Sequence, residues 1–315
     1  MINNNKILLT YFLYLILGSI FYLTFHIGEF PNKYTYTDWL INYEGGFVRR
    51  GLLGQIIFEL SKFFNIKLQF ILLFIQIAIY CTYFFLFYLL FLKRKINFFW
   101  ILIIFSPILL LYPLAELEAL GRKDIFVISF FLFFSMINYK TLDHLMISFI
   151  ILFGLSCLIH EITIFYIFHY FFVMYLKKKY LINQRIYKKH YLIFFVFTGV
   201  LLYLNLFLHN FVIVEDIVSS YNYENFTTES GSFSHISPSI DIVFLKTFNN
   251  ISIVSIARYG FIFLISTAPL IYFIQLKNEH ANKYFKFHNI FFIILFLSIP
   301  LYLLIFDWGR VIYIN

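Results

Sequence analysis

Residues 68–92 run for 25 positions without one charged side chain. A helix of that length spans more than the roughly 30 Å of a bilayer's hydrocarbon core. Further apolar runs lie near 7–25, 98–113, 125–138, 145–159, 162–176, 192–208, 252–276 and 290–306. A chain with this many runs must satisfy its backbone in lipid, and helices do so within each segment. Composition agrees. The chain is 62% apolar and 13% charged, where a soluble domain is about half apolar and a quarter charged. That excludes a disordered chain, a coiled coil, a secreted disulfide scaffold and an ordinary cytosolic enzyme. The expected fold is all-α: a polytopic transmembrane helix bundle of about nine spans, forming one integral membrane domain over 1–315. Cys81 and Cys157 both sit inside apolar runs, so no disulfide framework or thiolate metal site follows.

The net charge of +8 does not point to nucleic acid, because the basic residues fall in short loops between spans. With the N-terminus in the cytoplasm, the inner segments are 1–6, 93–97, 139–144, 177–191 and 277–289. They hold 14 Lys/Arg against two acids, a net +12; the remainder holds 10 against 14, a net −4. Lys/Arg-rich inner loops set topology by the positive-inside rule. The first run follows Lys6 and lacks a small-residue cleavage site, so it reads as an uncleaved anchor. The expected location is a membrane crossed many times, with the N-terminus on the cytoplasmic side.

One stretch strains simple counting. Residues 145–176 are 32 positions interrupted only by His160 and Glu161. As one helix they would cover about 48 Å, and they would place the Lys177–Lys189 run outside. Two short helices with a turn at His160-Glu161 are expected instead, with the turn packed against protein.

The outer loops 26–67, 114–124 and 209–250 then hold the polar chemistry. The first carries Asp38, Trp39 and Glu44, then Gly45-Gly46-Phe47-Val48-Arg49-Arg50-Gly51. Leu52, Leu53, Ile56, Ile57, Leu60, Phe63 and Phe64 follow at helical spacing, with Gln55, Glu59 and Lys62 opposite. This predicts an interfacial amphipathic helix. Arg49 and Arg50 at its start suit a phosphate or pyrophosphate; their plainer role is to meet lipid phosphates. Asp38 is either functional or a helix cap, and Trp39 reads as an interfacial belt residue. Arg122, Lys123 and Asp124 form a site edge or a local salt-bridge cluster. His160 and Glu161 need a reason to survive between apolar spans. Asp307 and Arg310 join the site or pair with each other. Loop 209–250 reads as a mobile lid or surface loop. Nothing in the chain supports a metal site or a cofactor: there is no Walker loop, dinucleotide fingerprint or zincin helix.

A first span, a long outer loop with an acid and then an amphipathic helix resembles membrane glycosyltransferases of the GT-C type. Further similarity lies in Phe105-Ser106-Pro107 through Leu111-Tyr112, Gly121-Arg122-Lys123-Asp124, and Gly154-Leu155 to His160-Glu161-Ile162-Thr163. It covers about residues 1–176. The resemblance implies a polyprenyl-phosphate-linked sugar donor at the outer face, with Asp38 as base or orienter and Glu44 next in line. The chain also resembles O-antigen and related surface-polysaccharide polymerases, which join lipid-pyrophosphate-linked oligosaccharides using outer-loop arginines. The candidate catalytic residues are Asp38 and Glu161, and the outer-face charges add Glu44, Arg49, Arg50, Arg122, Lys123, Asp124, His160, Asp307 and Arg310 as candidate substrate contacts; the segment around Arg49-Arg50 and the Asp307-Trp308-Gly309-Arg310 ending lie outside the GT-C resemblance. The implied partners are a lipid-linked sugar donor, a glycan acceptor and other polysaccharide-assembly proteins. Two other classes stay open: a transporter or flippase, and a membrane acyltransferase with His160 as base.

Overall fold

A computed structural model describes residues 4–26, 34–92, 100–101, 104–105, 110–115, 120–180, 182, 188–206, 212–221, 226–228, 231–236 and scattered positions from 249 to 261. The expected spans 252–276 and 290–306 lie largely or wholly outside these residues, as does half of 98–113. Every regular element among the described residues is a helix. The chain divides into two compact units. The first comprises residues 1–94 and 113–237 and contains every element discussed below; the second comprises 95–112 and 238–315.

The first unit contains α1 (Asn4–His26), α2 (Leu52–Phe64), α3 (Leu68–Leu92), α4 (Asp124–Met136), α5 (Leu142–Ile159), α6 (Ile167–Tyr180), α7 (Lys188–Leu206) and α8 (Val214–Ser220). Three helices, Asn5–His26, α3 and α5, are long and apolar enough to cross a membrane, and α4 is a shorter apolar helix. Their apolar surplus is arranged in stripes. Tyr14, Leu17, Phe21 and Phe25 are exposed along α1; Ile147, Ile151 and Leu155 along α5; Leu192, Phe195, Val196, Val200 and Tyr203 along α7. Spacings of three and four put each set on one helix face. Such faces would aggregate in water, and they are compatible with a membrane protein.

The helices pack in sequence, α1 on α3, α3 on α4 and α4 on α5, with α6 and α7 both on α5. Phe134, Leu145, Phe149, Phe153, Cys157, Tyr170 and Leu201 form a fully enclosed core where α4, α5, α6 and α7 meet. The Phe149 ring lies between Phe153 at 5.2 Å, Phe171 at 5.8 Å and Phe197 at 5.8 Å between centroids. Thr141 caps α5, its hydroxyl accepting from the His144 N–H at 3.3 Å. At that end Asp143 meets Lys189 at 3.1 Å and His190 at 2.8 Å, which ties the starts of α5 and α7 together.

The other end of α5 breaks at the expected place. The helix stops at Ile159, His160 is extended at φ −148° and ψ 115°, and a 3₁₀ segment runs from Glu161 to Tyr166. The freed backbone groups are satisfied within the protein. His160 N–H donates to Ser156 O at 2.9 Å, Thr163 N–H donates to His160 O at 3.1 Å, and the Thr163 hydroxyl donates to Ser156 O at 3.2 Å. This is how irregular backbone survives among apolar helices.

α2 departs from the expected single apolar face. Leu53, Ile57 and Phe58 are buried on the protein, whereas Ile56, Phe63 and Phe64 are exposed. Its apolar arc is too wide for one contact, so half packs inward and half stays outside. Gly54 makes the inward contact close: a Cβ there would stand 2.0 Å from Ile41 O. The helix ends at Asn65, whose left-handed φ of 52° lets its N–H donate back to Lys62 O, a common helix stop.

Candidate functional site

The site is assembled by three chain segments that meet beside the end of α5. The first is the loop before α2. A short helix at Tyr34–Thr37 tightens into a 3₁₀ turn, Asp38–Leu40, whose residues are all buried. Trp39 is fully enclosed and its indole N–H donates to Gly121 O. It is therefore a bolt between two loops, not the interfacial belt residue expected from sequence. The turn at Tyr43–Gly46 closes through Gly46 N–H to Tyr43 O at 3.1 Å, with Gly46 at φ 106°, a conformation glycine adopts without strain. A second tight turn, Gly51 N–H to Val48 O at 3.2 Å, presents Arg49 and Arg50 side by side.

The second segment is Gly121-Arg122-Lys123-Asp124. Gly121, at φ 86°, is held on both sides. Its carbonyl accepts from Trp39 and from Gln76 at 3.2 Å, and its N–H donates to the Tyr80 hydroxyl at 2.9 Å. Gln76 and Tyr80 lie one turn apart on α3 and fix this loop to that helix. The third segment is the break at His160-Glu161.

Together these place six charges in one knot. Arg50 Nη1 bridges Asp38 Oδ1 at 3.2 Å and Glu161 Oε1 at 3.6 Å. Lys123 is fully enclosed, and its ammonium donates to Arg50 O at 2.9 Å. His160 Nε2 meets Asp124 Oδ1 at 2.8 Å, and its Nδ1 lies 3.6 Å from Glu161 Oε2. Asp124 also occupies the first turn of α4, where the helix dipole favours a carboxylate. With His160 protonated, three cations face three carboxylates. Burying so many ions opposes folding unless each is matched.

The matching governs protonation. Burial alone would discharge the His160 imidazole, but the Asp124 and Glu161 carboxylates outweigh it and raise its pKa to about 9. Burial opposes the charge on Glu161 too, yet Arg50 and His160 hold its carboxyl well below the usual range. For Lys123 burial wins: its pKa falls to about 8, although Asp38 and Glu161 pull it up.

Asp38, Arg50, Lys123, Asp124, His160 and Glu161 are thus brought together. Arg49 stands beside them, half-buried and within the field of Glu161. It has no ion pair or hydrogen bond of its own among the described residues. Glu44 is exposed and accepts from Gln55 Nε2 at 3.0 Å, so it is committed to bracing α2 outside the knot. Arg122 is half-buried and acts on the Tyr80 side of its turn. Asp307 and Arg310 lie outside the described residues. Among the described residues no group of three or more His, Cys, Asp or Glu could hold a metal ion.

Of the two readings of loop 209–250, a mobile lid or a surface loop, the described part fits a surface loop docked on the first loop. Ile213 N–H donates to Gly45 O at 2.8 Å, Asn42 donates to Ser220 at 2.9 Å, and Ser232 N–H donates to the Thr37 hydroxyl at 2.8 Å. Ile217, Tyr221, Phe226 and Phe233 are buried under it, which accounts for its hold on the first loop. No family model matches the chain, and neither a curated protein nor a solved structure matches it.

Proposed function

We propose that the chain transfers a glycosyl group from a polyprenyl-(pyro)phosphate-linked sugar to a glycan hydroxyl at the outer face of a bacterial inner membrane. This is GT-C-type or polysaccharide-polymerase chemistry. One observation carries the reading: carboxylates and arginines from segments more than a hundred residues apart converge at one end of apolar helices, with Arg49 left over. An acceptor hydroxyl needs a carboxylate to take its proton. A departing lipid phosphate needs guanidinium groups to hold its charge. Arg49 and Arg50 supply the second; Asp38 and Glu161 are the candidates for the first. The finer topology belongs to the same proposal: nine spans, the N-terminus inside and α2 at the interface. It is supported by the +12 against −4 charge partition and by the exposed Phe63 and Phe64 next to Lys62 and Lys67.

The test is glycan product per amount of membrane protein, with radiolabelled lipid-linked sugars as donors. Asp38→Asn and Glu161→Gln should each lower product, and the loss of a base amounts to about 10²–10⁴-fold. Arg49→Lys keeps the charge but loses the bidentate fork, so it should impair donor use more than Lys62→Ala on the exposed side of α2. Normal product from all four variants would remove this cluster from the chemistry and favour transport.

A further inference from the structure

The two carboxylates that share Arg50 are not equivalent. The Asp38 side chain is 6% exposed and takes the shorter contact, 3.2 Å; the Glu161 side chain is 31% exposed and takes the longer, 3.6 Å. Asp38 is also fixed from behind, since Trp39 is bolted to Gly121 and Thr37 accepts from Ser232. The backbone of Arg50 is pinned through its carbonyl by Lys123. Within this frame, the replaceable partner of the guanidinium is Glu161. Its Oε2 is enclosed and makes no hydrogen bond. Next to it, within the field of Glu161, stands Arg49, whose guanidinium makes no ion pair among the described residues.

We propose that a phosphate group entering at Arg49 takes the place of Glu161 on the Arg50 guanidinium, and so releases Glu161 as the base. This rests on the glycosyl-transfer reading and assigns roles within it. Asp38 becomes a positioning residue that keeps Arg50 in place. Arg49 and Arg50 bind the donor phosphate. Glu161 takes the acceptor O–H proton while the acceptor oxygen bonds to the anomeric carbon. The anomeric C–O bond breaks, its electron pair leaves on the phosphate oxygen, and the two arginines hold that charge. The proton departs from the solvent-reaching edge of Glu161.

The arrangement explains why a site needing a base holds the more accessible of its two carboxylates ionised against a cation. In the empty site Glu161 is a poor base. It becomes a competent one only when donor phosphate is present, so acceptor activation waits for the donor. The groups facing Glu161 are Arg49 and Arg50 from the loop before α2, Asp38 from the 3₁₀ turn, Lys123 and Asp124 at the start of α4, and His160 beside it. Of these, only Arg50 changes partner.

The test uses inorganic pyrophosphate and the purified full chain in lipid nanodiscs. Infrared difference spectra across a pH titration follow the protonated carboxyl band, and the band absent in Glu161→Gln is assigned to Glu161. An opposite charge at this range shifts a carboxyl by about 1–3 units. Saturating pyrophosphate should therefore move the Glu161 titration upward by about one unit or more. Arg49→Ala should weaken pyrophosphate binding about tenfold or more, so that at a fixed pyrophosphate concentration the Glu161 shift, read against that variant's own pyrophosphate-free titration, shrinks. Pyrophosphate that fails to bind, or that binds without moving Glu161, overturns the proposal. A pyrophosphate-driven shift with no product from any lipid-linked sugar would refute glycosyl transfer yet keep the exchange at Arg50. Product formation with an unmoved Glu161 would do the reverse.

Discussion

His160 makes the stability of the fold depend on pH in a calculable way. Its pKa rises from 6.5 in the open chain to about 9 in the fold. A group whose folded pKa is raised stabilises fully below its unfolded value, and the contribution is lost as pH climbs through the folded value. At about 1.36 kcal/mol per unit, the whole contribution is about 3 kcal/mol. The side chain is only 4% exposed, so solvent screening removes little of it. Lys123 works oppositely. Its folded pKa is depressed to about 8, so it opposes folding below pH 8 and relents as pH rises toward 10.5. The clean window is therefore pH 6.5–8, where His160 alone of the two is changing appreciably. Across it about 2 kcal/mol should disappear. At roughly 2–4 °C per kcal/mol, the melting temperature in detergent should fall by at most about 4–8 °C. His160→Gln should melt lower throughout and show a flat profile over the same interval. A variant that keeps the wild-type slope would refute the assignment, because the loss would then belong to another group.

Three further perturbations probe how the fold is held. Gly54→Ala drives a Cβ against Ile41 O at 2.0 Å, and overpacking of this kind costs about 1–3 kcal/mol; thermal melts and glycan product should both fall. Gly199→Ala, where a Cβ meets nothing within 4 Å, should instead raise the melting temperature slightly, by about 0.5–1 kcal/mol of helix stability. Phe149→Ala empties the centre of the aromatic core, a loss of about 3–5 kcal/mol in a water-soluble core. It should fall short of that here, because lipid tails also solvate the open helix; melting of Phe149→Ala against Phe149→Leu would read the cavity term directly.

Much of the scaffold was legible in sequence because membrane helices announce themselves by length. α3 coincides with its apolar run, and the break in residues 145–176 was marked by the two ionisable residues inside it. The site was legible as a set of charges in the loops between apolar runs, but not as a pattern of pairs. Arg49 and Arg50 are neighbours of identical chemistry. Which one reaches Asp38 and which stays unpaired depends on the turn from Val48 to Gly51 and on the Lys123 contact, both tertiary. Glu44 stood next in line to Asp38, and what sets it apart, the hydrogen bond from Gln55 one helical turn into α2, is a tertiary contact. Gln76 and Tyr80 were missed altogether, though a Gln within an uncharged span is itself a signal that something polar must lie opposite. In loop 209–250 the Ser and Asn content hid the anchors Ile217, Tyr221, Phe226 and Phe233, so the sequence left a mobile lid and a surface loop both open.

The knot around Arg50 also sets an order of assembly. Chains emerge N-terminus first, and early segments begin to pack before later ones exist. By the time α4 is made, Asp38, Arg50, Lys123 and Asp124 are present, but Asp124 lacks its imidazole and Arg50 its second carboxylate. Both arrive together, thirty-six residues later, as adjacent residues at one helix break. It follows that α4 carries a fully enclosed ammonium whose surroundings stay incomplete until translation passes residue 161. The dipeptide that completes the charge pairing thus arrives well after the loop it pairs with, and residues 213–232, which dock on that loop, arrive later still.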